Sequence, residues 1–157
     1  MITIVVPCKD KKEISKEWYK QYDIKYPWMT LLIIEEPNLS LSEARKLGIS
    51  KVKTKYILNL DSDTILPENY IEQALEILEK NEDVVAVAID YEKLQGHYAF
   101  GTSIWKTDIL QQTYDWNGIK EIPICECICM WIHIHNLDGK RMETLPMRAI
   151  HLKNRKV

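Results

Sequence analysis

The chain lacks the long apolar stretches that mark a membrane protein. No run in its 157 residues approaches the roughly 18 consecutive apolar residues of a membrane-spanning helix. The amino terminus reads MITIVVP, without the basic region and cleavage site of a secretory signal, so we interpret it as a first strand. These absences predict a cytoplasmic protein.

The sequence also has no excess of either charge and no disulfide framework. Its formal net charge is −2 at pH 7, which argues against a general nucleic-acid or membrane-surface binder. The four cysteines are Cys8 and the cluster Cys125, Cys127 and Cys129, which lack the paired spacing of a disulfide scaffold. Apolar residues make up 46% of the chain, so we expect one globular domain that spans residues 1–157.

What the sequence does contain is an alternation of strand and helix patterns. Four short apolar, mostly β-branched runs predict buried strands, at residues 2–6, 30–34, 56–60 and 84–89. Between them, apolar residues at helical spacing predict three helices, at about residues 12–22, 40–52 and 67–80. This order is typical of a three-layer α/β/α fold around a mostly parallel mixed sheet.

The second of these helices begins with a capping box, and its expected orientation can be stated. Ser40 is the predicted N-cap and Glu43 the third helical residue. We expect Leu41 to face the core with Ala44 and Leu47, and Arg45 to lie on or near the exposed side. Beyond about residue 90 the pattern is less regular, with predicted elements at residues 98–104, 106–112, 125–137 and 148–152.

Acidic side chains follow two of the predicted strands. The stretch YILNLDSDT at residues 56–64 ends in Asp61 and Asp63, and the strand before it ends in Glu35 and Glu36. In α/β proteins ligands bind at the carboxyl ends of strands. Mg²⁺ and Mn²⁺ take carboxylate oxygens and leave positions open for phosphate. The pattern predicts a site for a divalent metal and a diphosphate, and the alternative is a solvated Asp-rich turn.

The order of these motifs resembles that of family 2 glycosyltransferases with the GT-A fold, of which this chain would be a shortened member. The resemblance rests on the first strand with Pro7, the segment LSEARKLG at residues 41–48, the acidic stretch, and the Leu66–Pro67 dipeptide. The family pattern in the helix is Ala-Arg-Asn-x-Gly, and here Lys46 replaces the asparagine.

The resemblance implies a metal-dependent transferase that moves a sugar, with inversion, from a nucleotide diphosphate-sugar to an acceptor hydroxyl. A UDP-sugar is the commonest donor in the family, the metal would be Mn²⁺ or Mg²⁺, and the acceptor is unknown. The residues that would contact the nucleotide are Pro7, Cys8, Lys9, Asp10, Glu35, Glu36, Arg45, Asp61 and Ser62. Asp63 would bind the metal, with Asp61 and His151 as further candidate ligands.

An inverting transferase also needs a carboxylate that removes the acceptor's proton. In the family this is part of a Glu-Asp pair at a helix start, whereas here the matching position carries Glu126 alone, with Asp115 as the fallback. Trp105 lies in a segment that resembles the family's acceptor region and could stack on a sugar, the alternative being a core tryptophan.

Several departures keep other interpretations open. The helix and strand that usually follow the second strand's acids are missing, since Glu36 and Ser40 are nearly adjacent. Without the Glu-Asp pair, a non-catalytic nucleotide- or sugar-binding protein is the main alternative, and an Asp-x-Asp phosphohydrolase is a weaker one. The cysteine cluster with His133 and His135 permits a metal site, although buried cysteines explain it as well. We also allow for a homo-oligomer.

Overall fold

The computed structural model describes residues 1–22, 27–92, 100–114 and 126–152, but not the side chains of residues 114, 126–129 and 131. Within these ranges, seven strands form one mixed sheet with helices on both faces, which confirms the predicted α/β class. None of the helices in these ranges combines the length and the apolarity that crossing a membrane requires.

The strands and helices have the following bounds. The strands are β1 (Ile2–Cys8), β2 (Met29–Glu35), β3 (Tyr56–Asn59), β4 (Thr64–Ile65), β5 (Val84–Tyr91), β6 (Ile104–Lys106) and β7 (Arg141–His151). The helices are α1 (Lys16–Lys20), α2 (Leu41–Ser50), α3 (Tyr70–Lys80), α4 (Thr107–Tyr114) and α5 (Glu126–Asn136). Short 3₁₀ turns lie at Lys11–Glu13 and Phe100–Thr102.

The sheet order brings several carboxyl ends to one edge. The strands run β2-β1-β3-β6-β5-β7-β4 across the sheet. β1 is parallel to β2 and β3, and β7 is parallel to β5. β6 is antiparallel to both β3 and β5, so β5 points the same way as β3. The carboxyl ends of β1, β2, β3, β5 and β7 therefore share the edge at which α/β proteins bind ligands.

Apolar cores lie on both faces of the sheet. One core packs α1 and α3 against the sheet and includes the buried Trp18, Tyr70 and Leu78. The other lies under α2, α4 and α5 and includes Ile49 and Leu110. β1 and β5 are buried along their whole length. β2 is instead half exposed, because it forms one edge of the sheet.

The predicted start of α2 is confirmed, but its buried face is only partly the expected one, since Ala44 is buried as predicted whereas Leu41 and Arg45 are not placed as predicted. The Glu43 backbone N–H donates to Ser40 Oγ at 3.1 Å, as an N-cap requires. Arg45, however, is only 3% exposed, whereas Leu41 is 52% exposed. The prediction that Leu41 faces the core and Arg45 lies toward solvent is therefore wrong.

Gly48 explains why α2 buries this face. It packs so closely on the sheet that a Cβ there would lie 2.6 Å from Val5 Cγ1 and 2.8 Å from Ile34 Cγ1. The helix therefore turns its glycine toward the strands, and the residues three and four positions away share that face. This rotation places Arg45 inside the molecule.

The first predicted helix and the last predicted strand also differ from the structure. A single helix over residues 12–22 is replaced by the 3₁₀ turn and α1, because Asp10 and Ser15 each accept a backbone hydrogen bond and begin a separate element. β7 begins seven residues before the predicted residue 148, since its first part pairs with β5 and its end with β4.

Candidate active site

The acidic turn after β3 lies in the middle of the carboxyl edge. β3 is flanked by β1 and β6 in the sheet. The Leu60 N–H donates to Val5 O, and the Asp61 N–H donates to Gly101 O at 3.3 Å. These bonds extend the backbone of β3 into the turn, so Asp61 stands at a fixed position where β3 ends.

Helix α1 supports the same turn from one face of the sheet. Trp18 is fully buried and its Nε1–H donates to Asp61 O at 3.0 Å. Gln21 Nε2 donates to Thr64 O at 2.9 Å, and its Oε1 accepts the Leu66 N–H at 3.0 Å. α1 and its C-cap residue Gln21 therefore hold both ends of the turn. The sequence showed Trp18 only as part of a helical stripe, so this contact was not predicted.

The Asp61 carboxylate has two donors on opposite oxygens. Arg45 Nη2 lies 2.7 Å from Oδ1, and the two side chains are 4% and 28% exposed. The Tyr91 hydroxyl donates to Oδ2 at 3.2 Å. The Arg45 guanidinium also lies over the Phe100 ring, 5.1 Å from its centroid. The structure thus directs Arg45 to Asp61, while its predicted contact with a nucleotide stays a prediction.

Tyr91 is a site residue that the sequence did not reveal. Burial raises the pKa of its phenol far above the ordinary value, and the neighbouring Asp61 raises it further. The phenol therefore stays protonated and can act as a donor. Its hydroxyl also lies 3.1 Å from Thr64 Oγ1. A tyrosine at the carboxyl end of β5 was the one available signal, because that edge is where ligands bind.

Asp63 and His151 are brought together by the pairing of β4 with β7. Thr64 is the register partner of His151, and the Leu152 N–H donates to Asp63 O at 2.8 Å. His151 Nε2 consequently lies 3.2 Å from Asp63 Oδ2, with the side chains 25% and 15% exposed. Two of the residues that the resemblance implied as metal ligands, Asp63 and His151, are therefore neighbours.

This pair fits a divalent cation whose remaining ligands come from a substrate and from water. Within the described ranges, no three His, Cys, Asp or Glu side chains converge as a self-contained metal site. One carboxylate and one imidazole leave most coordination positions for diphosphate oxygens and water, as is usual for Mg²⁺ and Mn²⁺ in phosphate-binding sites. Asp63 and His151 therefore fit the expected metal, and Asp61 is already engaged by Arg45 and Tyr91.

The ends of β1 and β2 form the wall on the other side of Asp61. Glu35 Oε2 accepts the Lys11 N–H at 2.6 Å, and the Glu36 N–H donates to Cys8 O at 3.1 Å. These bonds tie the two strand ends together. Asp10 Oδ1 accepts the Lys12 N–H at 2.9 Å and so caps the 3₁₀ turn.

The remaining nucleotide-wall residues differ in exposure. Pro7 and Cys8 are buried at the end of β1, whereas Lys9 is exposed and Ser62 is half-buried. Burial raises the pKa of the Cys8 thiol, and Glu35 raises it further, so the thiol stays protonated. Contacts of these residues with a nucleotide stay predictions.

Trp105 has no surface for a sugar. It is fully buried, and its Nε1–H donates to Ser103 Oγ at 2.8 Å. Its ring packs edge-on against Phe100 at 6.0 Å between centroids. The predicted acceptor-stacking role is therefore wrong, because the side chain lies in the core between β6 and the helices. The alternative, a core tryptophan, is what the structure has.

Glu126 belongs to α5, which packs on the sheet through Met130 and Ile134. The structure thus places Glu126 on a helix, and the residues before it lie outside the described part of the chain. The Glu126 side chain lies outside the described part of the structure, as do the whole of Asp115 and the side chains of the Cys125, Cys127 and Cys129 cluster. The roles assigned to them stay predictions.

Comparison with known structures shows the same fold in proteins of low sequence identity. S. aureus TarS 1–349 in complex with UDP superposes with a TM-score of 0.65 at 12% identity, over 95% of this chain and 59% of that one. A glycosyltransferase involved in glycosylation of the major capsid of PBCV-1 gives a TM-score of 0.61 at 13% identity, over 96% of this chain and 92% of that one. This chain thus spans about three fifths of the TarS fragment.

The fold alone does not fix the reaction. The 4-diphosphocytidyl-2C-methyl-D-erythritol synthase from Anaerococcus prevotii also matches, with a TM-score of 0.61 at 10% identity over 92% of this chain and 87% of that one. No curated protein matches this chain. The assignment therefore depends on the family model.

That family model is the one described as glycosyl transferase family 2, and it matches residues 5–137. The matched region contains α2 with Arg45, the acidic turn with Asp61 and Asp63, and α5. Since the match covers most of the chain, the chain belongs to glycosyl transferase family 2.

Proposed function

We propose that this glycosyltransferase moves a sugar from a nucleotide diphosphate-sugar to an acceptor hydroxyl with inversion, using a divalent metal. The observation that carries the proposal is the pair of Asp63 and His151, 3.2 Å apart at the carboxyl edge. It lies beside an Asp61 that Arg45 and Tyr91 hold from two sides. The UDP complex of TarS makes a UDP-sugar the donor to test first.

The residues divide the work as follows. Asp63 and His151 would hold the metal, which supplies charge neutralisation for the departing diphosphate. Asp61 would accept hydrogen bonds from the nucleotide, because Arg45 and Tyr91 present its carboxylate at the strand end. Pro7, Cys8 and the ends of β1 and β2 would form the remaining wall.

Glu126 is the proposed base. It would take the proton from the acceptor hydroxyl as that oxygen attacks the anomeric carbon from the face opposite the diphosphate, which gives inversion. Its place on α5, within the region that the family model matches, supports this role.

The first experiment measures ligand-dependent stability. Thermal unfolding is followed with UDP, GDP, CDP or ADP, each with and without Mn²⁺. Binding at 100 times Kd stabilises a protein by about 2.7 kcal/mol, so we expect a metal-dependent shift with at least one nucleotide. Asp63→Ala should abolish the metal-dependent part. Asp138→Ala, an exposed acid in the turn before β7, is the matched control and should retain it.

The second arm measures chemistry with the donor thus identified. Release of nucleotide diphosphate from the sugar donor should fall by about 100-fold or more in Glu126→Gln, since a positioned base contributes at least that much. A nucleotide-dependent shift of the unfolding temperature without turnover of any sugar donor favours the non-catalytic binder. Metal-dependent phosphate release from simple esters favours the phosphohydrolase. No metal-dependent shift with any nucleotide contradicts the metal site.

A further inference from the structure

We infer that Gly101 and Tyr91 are positioning residues that set the orientation of the Asp61 carboxylate. The inference rests on the proposed function, because it assigns how the nucleotide-facing acid of that site is held. Neither residue is among the site residues predicted from the sequence, although Gly101 begins the segment that resembles the family's acceptor region. Both act through Asp61 and not by touching the substrate.

Gly101 provides the space that the carboxylate occupies. A Cβ built on Gly101 would lie 2.2 Å from Asp61 Oδ2, 2.4 Å from Cγ and 2.7 Å from Oδ1. Its φ lies outside the left-handed region, since among the described glycines only Gly139 has a positive φ. The backbone conformation therefore does not require a glycine at position 101. The close approach of the Asp61 carboxylate does.

Gly101 also fixes the backbone of the same aspartate. Its carbonyl accepts the Asp61 N–H at 3.3 Å. Asp61 thus contacts Gly101 through both its main chain and its side chain. Any larger residue at position 101 must displace the Asp61 side chain. The Asp61 backbone cannot follow freely, because its N–H is bonded to the carbonyl of residue 101.

Tyr91 fixes the second oxygen of the carboxylate. Arg45 binds Oδ1, which leaves rotation about the Cβ–Cγ bond limited only by what Oδ2 meets. The Tyr91 hydroxyl donates to Oδ2 and also lies beside Thr64 Oγ1. With Gly101 behind the group, the three contacts define one plane for the carboxylate, whose side chain keeps 28% of its surface for a ligand.

The experiment compares Gly101→Ala and Tyr91→Phe with matched controls. Gly139→Ala makes the same change at a turn glycine with φ +67° and nothing within 4 Å. Tyr56→Phe removes a phenol hydroxyl that bonds Glu79 at the amino end of β3, away from the site. Isothermal titration calorimetry measures the affinity of the folded proteins for UDP in the presence of Mn²⁺.

We expect Tyr91→Phe to weaken UDP binding about tenfold, as loss of one hydrogen bond to a charged group does. Gly101→Ala should weaken it further, and both controls should bind like the wild type. Wild-type affinity in Tyr91→Phe and Gly101→Ala overturns the inference. If Gly101→Ala does not fold, Tyr91→Phe decides.

A wild type that binds no nucleoside diphosphate overturns the proposed function but not the positioning claim. Crystal structures of the wild type and of Gly101→Ala then decide that claim. If Gly101→Ala does not fold, the structure of Tyr91→Phe is compared with the wild type instead. A carboxylate displaced from Arg45 supports it. An Asp61 side chain that keeps its 2.7 Å contact with Arg45 in the variant contradicts it.

Discussion

At the scale of single residues, Asp61 and Asp63 have different partners although they are only two positions apart. Asp61 lies between a buried guanidinium and a protonated phenol. Asp63 lies next to the imidazole of His151. The first carboxylate is therefore held by two protein donors, and the second has beside it the imidazole with which it would form the proposed metal site. Spacing alone treats the two acids alike, and the difference comes from what surrounds them.

The Arg45–Asp61 pair should contribute measurably to stability. We expect Arg45→Met to lower the free energy of unfolding by about 2 kcal/mol, below the range for a fully buried pair because Asp61 is 28% exposed. Adding Asp61→Asn should recover part of this loss, since the uncompensated charge is removed. Urea unfolding of the wild type, both single variants and the double variant gives the coupling energy between Arg45 and Asp61.

The exposed pair of Lys80 and Glu76 is the control for this cycle. Its side chains are 70% and 61% exposed, so solvent screens the pair and Lys80→Met should leave stability almost unchanged. A zero coupling energy between Arg45 and Asp61 would contradict the buried ion pair that the structure shows.

At the scale of elements, α2 connects the sequence motif to the site. The connection between β2 and α2 is only residues 36–40 long, which confirms that the helix and strand expected there in the family are missing. Ser40 ends this short connection and is the N-cap of α2. Gly48 then decides which face of the helix meets the sheet. Arg45 reaches Asp61 because α2 begins at Ser40 and turns the face with Gly48 toward the sheet.

Loss of the α2 cap should destabilise the protein by about 1 kcal/mol, the usual cost of replacing an N-cap serine with alanine. Ser40→Ala removes the oxygen that accepts the Glu43 N–H, whereas Ser40→Asp retains an acceptor and should keep near-wild-type stability. Denaturant midpoints of the three proteins provide the measurement. Equal midpoints for Ser40→Ala and the wild type would show that the cap does not stabilise α2.

At the scale of the whole molecule, ion pairs join elements that are distant in sequence. Glu79 of α3 accepts hydrogen bonds from Tyr56 and Lys55 at the start of β3. Asp83 accepts one from Arg141 at the start of β7. Hydrogen bonds from Tyr56 and Lys55 lower the pKa of Glu79, and the one from Arg141 lowers the pKa of Asp83. These contacts lie at the edge of the sheet opposite the site.

Stability should therefore fall in acid. A carboxyl group whose pKa is lower in the folded state binds its proton more readily when unfolded, so its contribution is present above the unfolded pKa and is lost as pH falls through the folded pKa. The ordinary values are 4.5 for Glu79 and 3.8 for Asp83. The loss should thus begin below about pH 5. Chemical unfolding at several pH values from neutral to acidic measures it.

A variant identifies the contribution of Glu79. Glu79→Gln should flatten the acid part of the stability profile, because the titrating group is gone. Tyr56→Phe, which keeps the carboxylate but removes its main donor, should give an intermediate profile. If the profile of Glu79→Gln has the same slope as the wild type, the contact does not contribute to acid sensitivity.

Several features of this protein followed from local sequence alone. The Ser40 cap, the strand ends at Glu35 and the acidic turn, and a helix that includes Glu126 were all predicted and are present. Each depends on neighbours within a few residues, since capping chemistry and strand periodicity act over that range. The family resemblance also lies in such local motifs, which is why the family model agrees with it.

The tertiary structure decided which side chains these motifs present to each other. Arg45 is buried because Gly48 packs on β1 and β2, and Trp105 belongs to the core because β6 lies between β3 and β5. Tyr91 and Gly101 meet Asp61 only through the sheet order. A short-range pattern cannot encode such contacts, because they depend on how strands far apart in sequence are arranged. The sequence by itself thus determined where the acids lie, and the packing of the sheet determined what holds them.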